Sequence, residues 1–321
     1  MTIASESSAE IAPQRHLIAA LYKFAALPDA PRLVETYRAE AAVRDLRGVL
    51  LIAPEGINGT ISGAPERLRD FLALLRRDPR LADLSWKESW AEAAPTRRLR
   101  VRLKREIVSM GAPDIVSPAT VGTYVAPRDW NALITTPGVA VIDVRNDYET
   151  AIGGFKGAID PGTERFRDFP SWAEAAPALR GAEAVAMYCT GGIRCEKASA
   201  YLRALGHARV YHLEGGVLRY LETEPAETSL WRGQCFVFDE RVSVGHGLAP
   251  GGLSLCRGCR RPLTAEDRRH PAFVDGVACA ACAPATTEAQ REGRAERMRQ
   301  MALAQTRGAH HLATGPAQRR S

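Results

Sequence analysis

Residues 16–105 alternate short apolar runs with stretches whose apolar positions recur every three or four residues. His16 to Ala25 reads as a strand. Pro31 to Val43 places Leu33, Val34, Tyr37 and Ala41 at helical spacing. Val49 to Ala53 and Gly56 to Ile61 form a strand pair around Pro54-Glu55. Leu68, Phe71, Leu72 and Leu75 make a second helical stripe after Pro65, and Leu84 to Lys87 a fourth strand. The order β-α-β-β-α-β predicts a ferredoxin-like (acylphosphatase-like) α+β domain over residues 15–110. A Pro-containing stretch without apolar period predicts a linker at 111–134.

From Val139 the pattern changes. Val139 to Val144, Ala184 to Tyr188 and Val210 to Leu213 are continuous apolar runs, with helices between them, notably Glu196 to Leu205. Runs of this kind are strands buried on both faces, so residues 135–229 predict an α/β domain with a parallel sheet and a ligand site at the strands' carboxyl ends. A cysteine-rich module is expected at 230–285. Residues 286–321 read as a basic tail, helical at first and disordered past Gln305, and residues 1–14 as a disordered leader. The chain is thus expected to be multidomain α/β.

Composition narrows the class. The chain has 321 residues, 45% hydrophobic and 25% charged, which is ordinary for globular protein. No run approaches the roughly 18 apolar residues of a membrane helix. The first 14 residues lack the basic n-region of a secretory signal, and the seven cysteines do not spread as a disulfide frame. Together these point to a reducing cytoplasm. The net charge of +6 hides an acidic middle between basic ends. That layout would suit a polyanion held by the flanks, and it equally suits plain solubility.

One basic run is more pointed. Arg98, Arg100, Arg102 and Lys104 alternate with Leu99, Val101 and Leu103. In an extended chain the four cations share one face about 6.6 Å apart. That spacing approaches successive phosphates of a stretched nucleic-acid strand. The same pattern also serves as an edge strand guarded against pairing by its charges.

The sharpest signal is Cys189-Thr190-Gly191-Gly192-Ile193-Arg194, which follows the run Val185 to Tyr188 and opens a helix. The two glycines let the loop turn its backbone N–H groups inward. Those donors, the helix N-terminus and Arg194 all favour a thiolate at Cys189. A persulfide on Cys189 would sit in the same cradle. Loop length separates two chemistries: phosphatase-type loops need Cys-x5-Arg, whereas here the spacing is Cys-x4-Arg and the next position is Cys195. Such a short loop suits a sulfur atom better than a tetrahedral oxyanion. Cys195 could resolve a persulfide or sulfenate as a disulfide, or simply pack.

Asp143-Val144-Arg145, Gly154 to Ala158, the cysteine loop and Leu213-Glu214-Gly215-Gly216-Val217 together resemble a rhodanese domain. The string Met187 to Ser199 resembles the bacterial tRNA uridine(34) hydroxylase family, as do Glu55 to Thr60, Lys104 to Val108 and Val237 to Val242. The resemblance runs from about residue 16 to 285. It implies oxygen-dependent hydroxylation of the tRNA wobble uridine to 5-hydroxyuridine, with Cys189 required, O2 as co-substrate and the anticodon region as partner. Two roles for Cys189 stay open: its thiolate adds to uracil C6 and makes C5 nucleophilic, or it carries a persulfide. A rhodanese-type sulfurtransferase is the alternative activity. No G-x-G-x-x-G follows a strand, so no nicotinamide or flavin fingerprint is present, and the sequence names no electron donor. His212, Glu214 and His246 make only a weak case for iron, because a turn before Gly215-Gly216 already explains Glu214.

Cys256-x2-Cys259 and Cys279-x2-Cys282 are separated by 19 residues. This is zinc-ribbon spacing, and four thiolates leave no open coordination position, so the expected Zn2+ is structural. Two reducible disulfides or a redox relay are the alternatives.

Overall fold

The computed structural model describes residues 16–307, except 93–95, 97, 113–114, 116–118 and 240. The leader and the last 14 residues fall outside the described residues. The chain divides into two compact units, Met1–Val116 and Ser117–Ser321.

In the first unit, β1 (His16–Phe24), α1 (Ala30–Val43), β2 (Arg47–Ala53), β3 (Gly56–Gly63), α2 (Pro65–Leu75), β4 (Trp86–Ala91) and β5 (Leu99–Leu103) follow one another. The sheet order is β4-β1-β3-β2-β5. The first four strands are antiparallel neighbours in ferredoxin-like order, and β5 extends the sheet parallel to β2. Alternate residues of β1 (Leu17, Ala19, Leu21) and of β2 (Leu50, Ile52) are buried against Leu33, Val34 and Tyr37 of α1 and Leu68, Phe71 and Leu72 of α2. The fourth strand starts later than the apolar pattern indicates. Leu84 is buried, but it fills the core from a turn whose N–H donates to Leu81 O. The strand proper is half exposed and so has little apolar period of its own.

Two of the recognisable strings in this unit hold each other. The Glu55 carboxylate accepts from the Ile107 N–H at 2.7 Å, and Asn58 Nδ2 donates to Ile107 O at 2.9 Å. They fasten the chain leaving β5 to the turn between β2 and β3.

The second unit contains β6 (Thr123–Val125), α3 (Pro127–Ile134), β7 (Val139–Asp143), α4 (Asp147–Thr150), β8 (Gly153–Phe155), α5 (Phe169–Ala175), α6 (Pro177–Arg180), β9 (Ala184–Tyr188), α7 (Ile193–Ala204), β10 (Val210–Leu213), α8 (Gly216–Thr223) and β11 (Trp231–Gly233). Beyond them lie β12 (Cys235–Phe236), β13 (Ser243–Val244), β14 (Ser254–Leu255), β15 (Pro262–Leu263), α9 (Ala265–Arg269) and α10 (Glu288–Thr306). The main sheet is parallel, in the order β6-β10-β9-β7. β9 is central and wholly buried, which explains its unbroken apolar run.

Three expected limits move. Residues 123–134 were expected in the linker, yet β6 pairs with β10 and Trp130 of α3 is buried among Phe155, Tyr188 and Tyr220. The segment after residue 230 was expected in the cysteine-rich module. Instead β11 pairs with β8, and Trp231, Cys235, Val237 and Val244 complete the core of the parallel-sheet domain. The helix α7 begins at Ile193 rather than Glu196, so Arg194 and Cys195 belong to its first turn. None of the described helices is long and apolar enough to cross a membrane.

Candidate active site

Cys189 stands at the carboxyl end of β9, directly before α7, and is completely buried. Gly192, at the N-terminus of α7, has φ of 104°, a conformation that a β-carbon would strain. This bend aims the Gly192 N–H at Cys189 Sγ, 3.1 Å away. Burial by itself pushes the thiol up. The Cys195 thiol, the charge of Arg194 and the backbone N–H groups of Cys195 and Gly192 outweigh it and bring Cys189 down to about 6. Cys195 moves the opposite way: it is buried and donates toward Cys189, so its own thiol is held well above its usual range.

A second turn locks the loop from behind. The N–H groups of Val217 and Leu218, opening α8, donate to Cys189 O (2.9 Å) and Thr190 O (3.1 Å). A β-carbon on Gly216 would lie 2.5 Å from Cys189 O, so only glycine permits this approach. The Gly215-Gly216 pair is therefore part of how the thiol is held.

The charge of Arg194 acts on the sulfur from the first turn of α7. It forms a two-pronged pair with Glu149, at 2.6 and 2.7 Å, and both side chains are buried. Glu149 also accepts from Thr190 Oγ1 (3.0 Å) and from the Asn146 N–H (3.2 Å). Its carboxyl is driven up by burial, but the charge and hydrogen bonds of Arg194 prevail and leave it below the usual range. The arrangement is a layered one: Glu149 fixes Arg194 and Thr190, and these shape the loop that cradles Cys189. Sequence reasoning did not single out Glu149. The signal was Arg194 itself, since a guanidinium buried in the first turn of a helix needs a counter-charge, and Asp143 to Glu149 is the acidic stretch at the end of the neighbouring strand.

A second buried pair supports the same floor. Arg145 donates to the Asp143 carboxylate (2.6 Å), to Gly153 O and to Glu149 O, and its guanidinium lies 4.9 Å from the Trp231 ring centre. Cys235 is also close: burial raises its thiol to about 12, an effect that neighbouring Thr190 and Arg145 oppose, and its Sγ lies 3.6 Å from Phe236 O. It is an inert neighbour of the loop. His212 Nε2 sits 3.2 Å from Gly122 O, and Glu214 pairs with Arg219, so both have other partners than a metal.

The four cations of the basic run lie in the first unit. Val101 is buried, whereas Arg98, Arg100, Arg102 and Lys104 are all exposed. Main-chain bonds from the Gly48 N–H to Arg98 O and from the Lys104 N–H to Ile52 O carry the pairing of β5 past both its ends. All four residues therefore sit on one extended stretch.

Cys256, Cys259, Cys279 and Cys282 come together, with all four sulfurs within 4.8 Å of one another. Sulfur–sulfur separations are 3.9 Å (Cys256–Cys282), 3.7 Å (Cys259–Cys279) and 3.8 Å (Cys279–Cys282). A tetrahedral ion with metal–sulfur bonds of about 2.3 Å separates its ligands by about 3.8 Å, whereas a disulfide needs about 2.05 Å. The geometry fits a four-thiolate metal site such as that of zinc. The module is pinned to its surroundings by Arg261, which donates to Asp147 of α4 at 2.5 Å. The tail helix α10 also packs on it, through Arg291 to Ala283 O and Arg294 to Val277 O. It is thus docked along one edge, while most of its residues stay exposed.

Residues 16–107 match the UPF0176 acylphosphatase like domain, and residues 126–223 match the Rhodanese-like domain. The chain is 54% identical over 304 residues to a protein of Albidiferax ferrireducens, covering 94% of this chain and 95% of that relative. A protein of Sinorhizobium medicae is 53% identical over 300 residues, covering 94% and 95%. One of Agrobacterium fabrum is 53% identical over 296 residues, covering 92% and 94%. All three are named tRNA uridine(34) hydroxylase.

Proposed function

This chain belongs to the tRNA uridine(34) hydroxylase family, and we propose that it converts the wobble uridine of tRNA to 5-hydroxyuridine in an oxygen-dependent reaction that passes through Cys189. The observation that carries the assignment of Cys189 is the cradle around its sulfur: inward N–H groups, the neighbouring Arg194 charge and a thiol lowered to about 6. At neutral pH this residue is a thiolate. Uracil C5 is a poor nucleophile until a thiolate adds to C6. The S–C6 bond then places electron density on C5, an oxygen atom is taken up there, the C5 proton leaves and the thiolate is expelled. Incorporating one atom of O2 consumes two electrons and two protons from a reductant, and the other atom leaves as water. Arg194, Thr190, Gly191, Gly192 and Ile193 hold the thiolate, and Glu149 holds Arg194.

A second reading has one observation in its favour. Cys189 Sγ is wholly covered, and a persulfide would carry the reactive sulfur outward from that position. Here Cys189 acts as a persulfide carrier or sulfurtransferase residue, and Cys195 is placed to displace the outer sulfur by forming a disulfide.

The basic face of β5 would contact phosphates of the anticodon arm, and the cytoplasm is the compartment where tRNA and free thiols coexist. The four-cysteine site would hold Zn2+. With every position taken by a thiolate the ion supplies folding energy and no chemistry.

Nucleoside analysis of tRNA from cells that depend on this chain tests the proposal. Wild type should yield 5-hydroxyuridine and Cys189→Ser should not; a serine variant with full modification sinks the role of Cys189. Loss of a thiolated nucleoside instead would establish the sulfurtransferase reading. Mass spectrometry of trapped complexes separates the two thiol mechanisms, since C6 addition predicts a covalent RNA adduct and a carrier predicts a mass gain of one sulfur.

A further inference from the structure

Phe238 is a feature of the second unit that the packing leaves unexplained. Its ring is 67% exposed, although its neighbours Phe236 and Val237 are buried. Exposure of a lone apolar side chain is common, but this ring is held in place by what lies beneath and beside it. Phe236 packs edge-on under Phe238 with ring centres 5.1 Å apart. Tyr148 packs edge-on under Phe236 at 5.3 Å. Tyr148 precedes Glu149, the residue that clamps Arg194 and Thr190, and its hydroxyl is raised by burial and then by the Glu149 charge. From the other side, Cys235 reaches Thr190 of the cysteine loop. The aromatic column therefore begins at the wall of the active site and ends in solvent.

Hydrogen bonds join the two arms of the turn that presents Phe238. The Val237 N–H donates to Val242 O at 2.9 Å, and the Val242 N–H to Asp239 O at 3.1 Å. Asp239 and Arg241 pair with each other, Arg241 Nη2 donating to Asp239 Oδ2 at 2.6 Å and the Arg241 N–H to Oδ1 at 3.0 Å. Val242 has φ of 63°, a left-handed conformation that is strained for a β-branched residue. Strain of this kind persists where the surrounding structure enforces it, and it gathers at functional sites.

We propose that Phe238 is a stacking platform for an unpaired nucleobase of the anticodon loop, adjacent to the uridine that enters the Cys189 site. This rests on the reading of the chain as a tRNA hydroxylase. Single-stranded RNA is recognised by splaying bases onto aromatic rings, and such stacking tolerates any base because each has a π-face. A solvent-facing phenylalanine stacked on rings that run back to the catalytic wall meets that need. It holds the neighbouring base and thereby keeps the loop splayed while the target base turns in.

The test uses the full chain and anticodon stem-loop RNAs carrying 2-aminopurine on the 5′ or the 3′ side of the wobble uridine. Wild type should quench the probe at one of the two positions. Phe238→Ala should abolish that quench and weaken binding about tenfold, with melting temperature unchanged because the ring is exposed. Phe238→Trp should keep both. Alanine and tryptophan variants that match wild type in affinity and quench overturn the proposal while leaving the hydroxylase reading intact. Self-association lost in Phe238→Ala, with RNA binding unaltered, also overturns it and makes the ring a contact between copies. If wild type neither binds nor hydroxylates these RNAs, the parent reading falls and this one with it.

Discussion

The Glu149–Arg194 pair makes a sharp energetic prediction, because both groups are buried and each satisfies the other. Arg194→Met leaves the Glu149 carboxylate in the interior with Thr190 and the Asn146 N–H as hydrogen-bond partners and the more distant charge of Arg145. Glu149→Gln leaves the guanidinium without its counter-charge. Removing one member of a buried pair costs about 3–5 kcal/mol, while replacing the whole pair with neutral groups is close to neutral. In the double variant, glutamine still accepts from the Asn146 N–H and can donate to Thr190 Oγ1, so about 1 kcal/mol of loss is expected. For a unit of about 200 residues, each single variant should lower the melting temperature by about 6–20 °C, and the double by only a few degrees. Function should part from stability. The double variant lacks the Arg194 charge that lowers Cys189, so its thiol should rise from about 6 toward the free value of about 8.5, and hydroxylation at neutral pH should fall. Calorimetry measures the first effect. The pH dependence of far-ultraviolet thiolate absorbance, taken as a difference from Cys189→Ser, measures the second. Additive losses, within about 0.5 kcal/mol in the double variant, would refute the claim that the two charges act as one unit.

The depressed thiol of Cys189 also sets pH behaviour. Activity through the thiolate should climb as pH rises through about 6 and then level off. The folded value lies below the unfolded one, so its contribution to stability is complete above about pH 8.5 and is lost as pH falls through the folded value; a rate that keeps rising to pH 9 contradicts this. Removing Arg100 and Arg102 together should reduce the slope of log affinity against log salt by about 1.4, the loss of two single-strand phosphate contacts, and an unchanged slope would make β5 a mere guarded edge. Wild type should carry one equivalent of zinc. Stripping it with a chelator should make α10 sensitive to protease, because the helix docks on the cysteine module through Arg291 and Arg294; identical digestion with and without metal counts against a structural ion.

What could be read from the sequence follows the range over which each signal acts. The first domain's helices and strands declare themselves because each buries one stripe, as Leu33, Val34 and Tyr37 do in α1. The four-cysteine cluster is legible for the same reason, each knuckle being a local Cys-x2-Cys. Signals fail where burial is decided at long range. β6 has only three residues, two of them exposed, and nothing in Thr123–Val125 marks it as the edge of the parallel sheet. Trp231 and Cys235 look like the start of a new module until β11 is seen pairing with β8, far back in the chain. Glu149 is the instructive case, since in a stretch with Asp143 and Asp147 it resembles ordinary surface charge. Yet its burial follows from a residue that was recognised. Once Arg194 is placed on the first turn of α7, beside a thiolate and out of water, one negative charge on Cys189 cannot by itself repay the desolvation of the guanidinium. A permanent anion has to stand on its other side, and of the loops after the two parallel neighbours of β9 the one after β7 supplies it in Glu149, while Glu214 after β10 pairs with Arg219. The cysteine loop therefore implies its own acidic anchor, and the anchor is what holds the guanidinium within reach of Cys189.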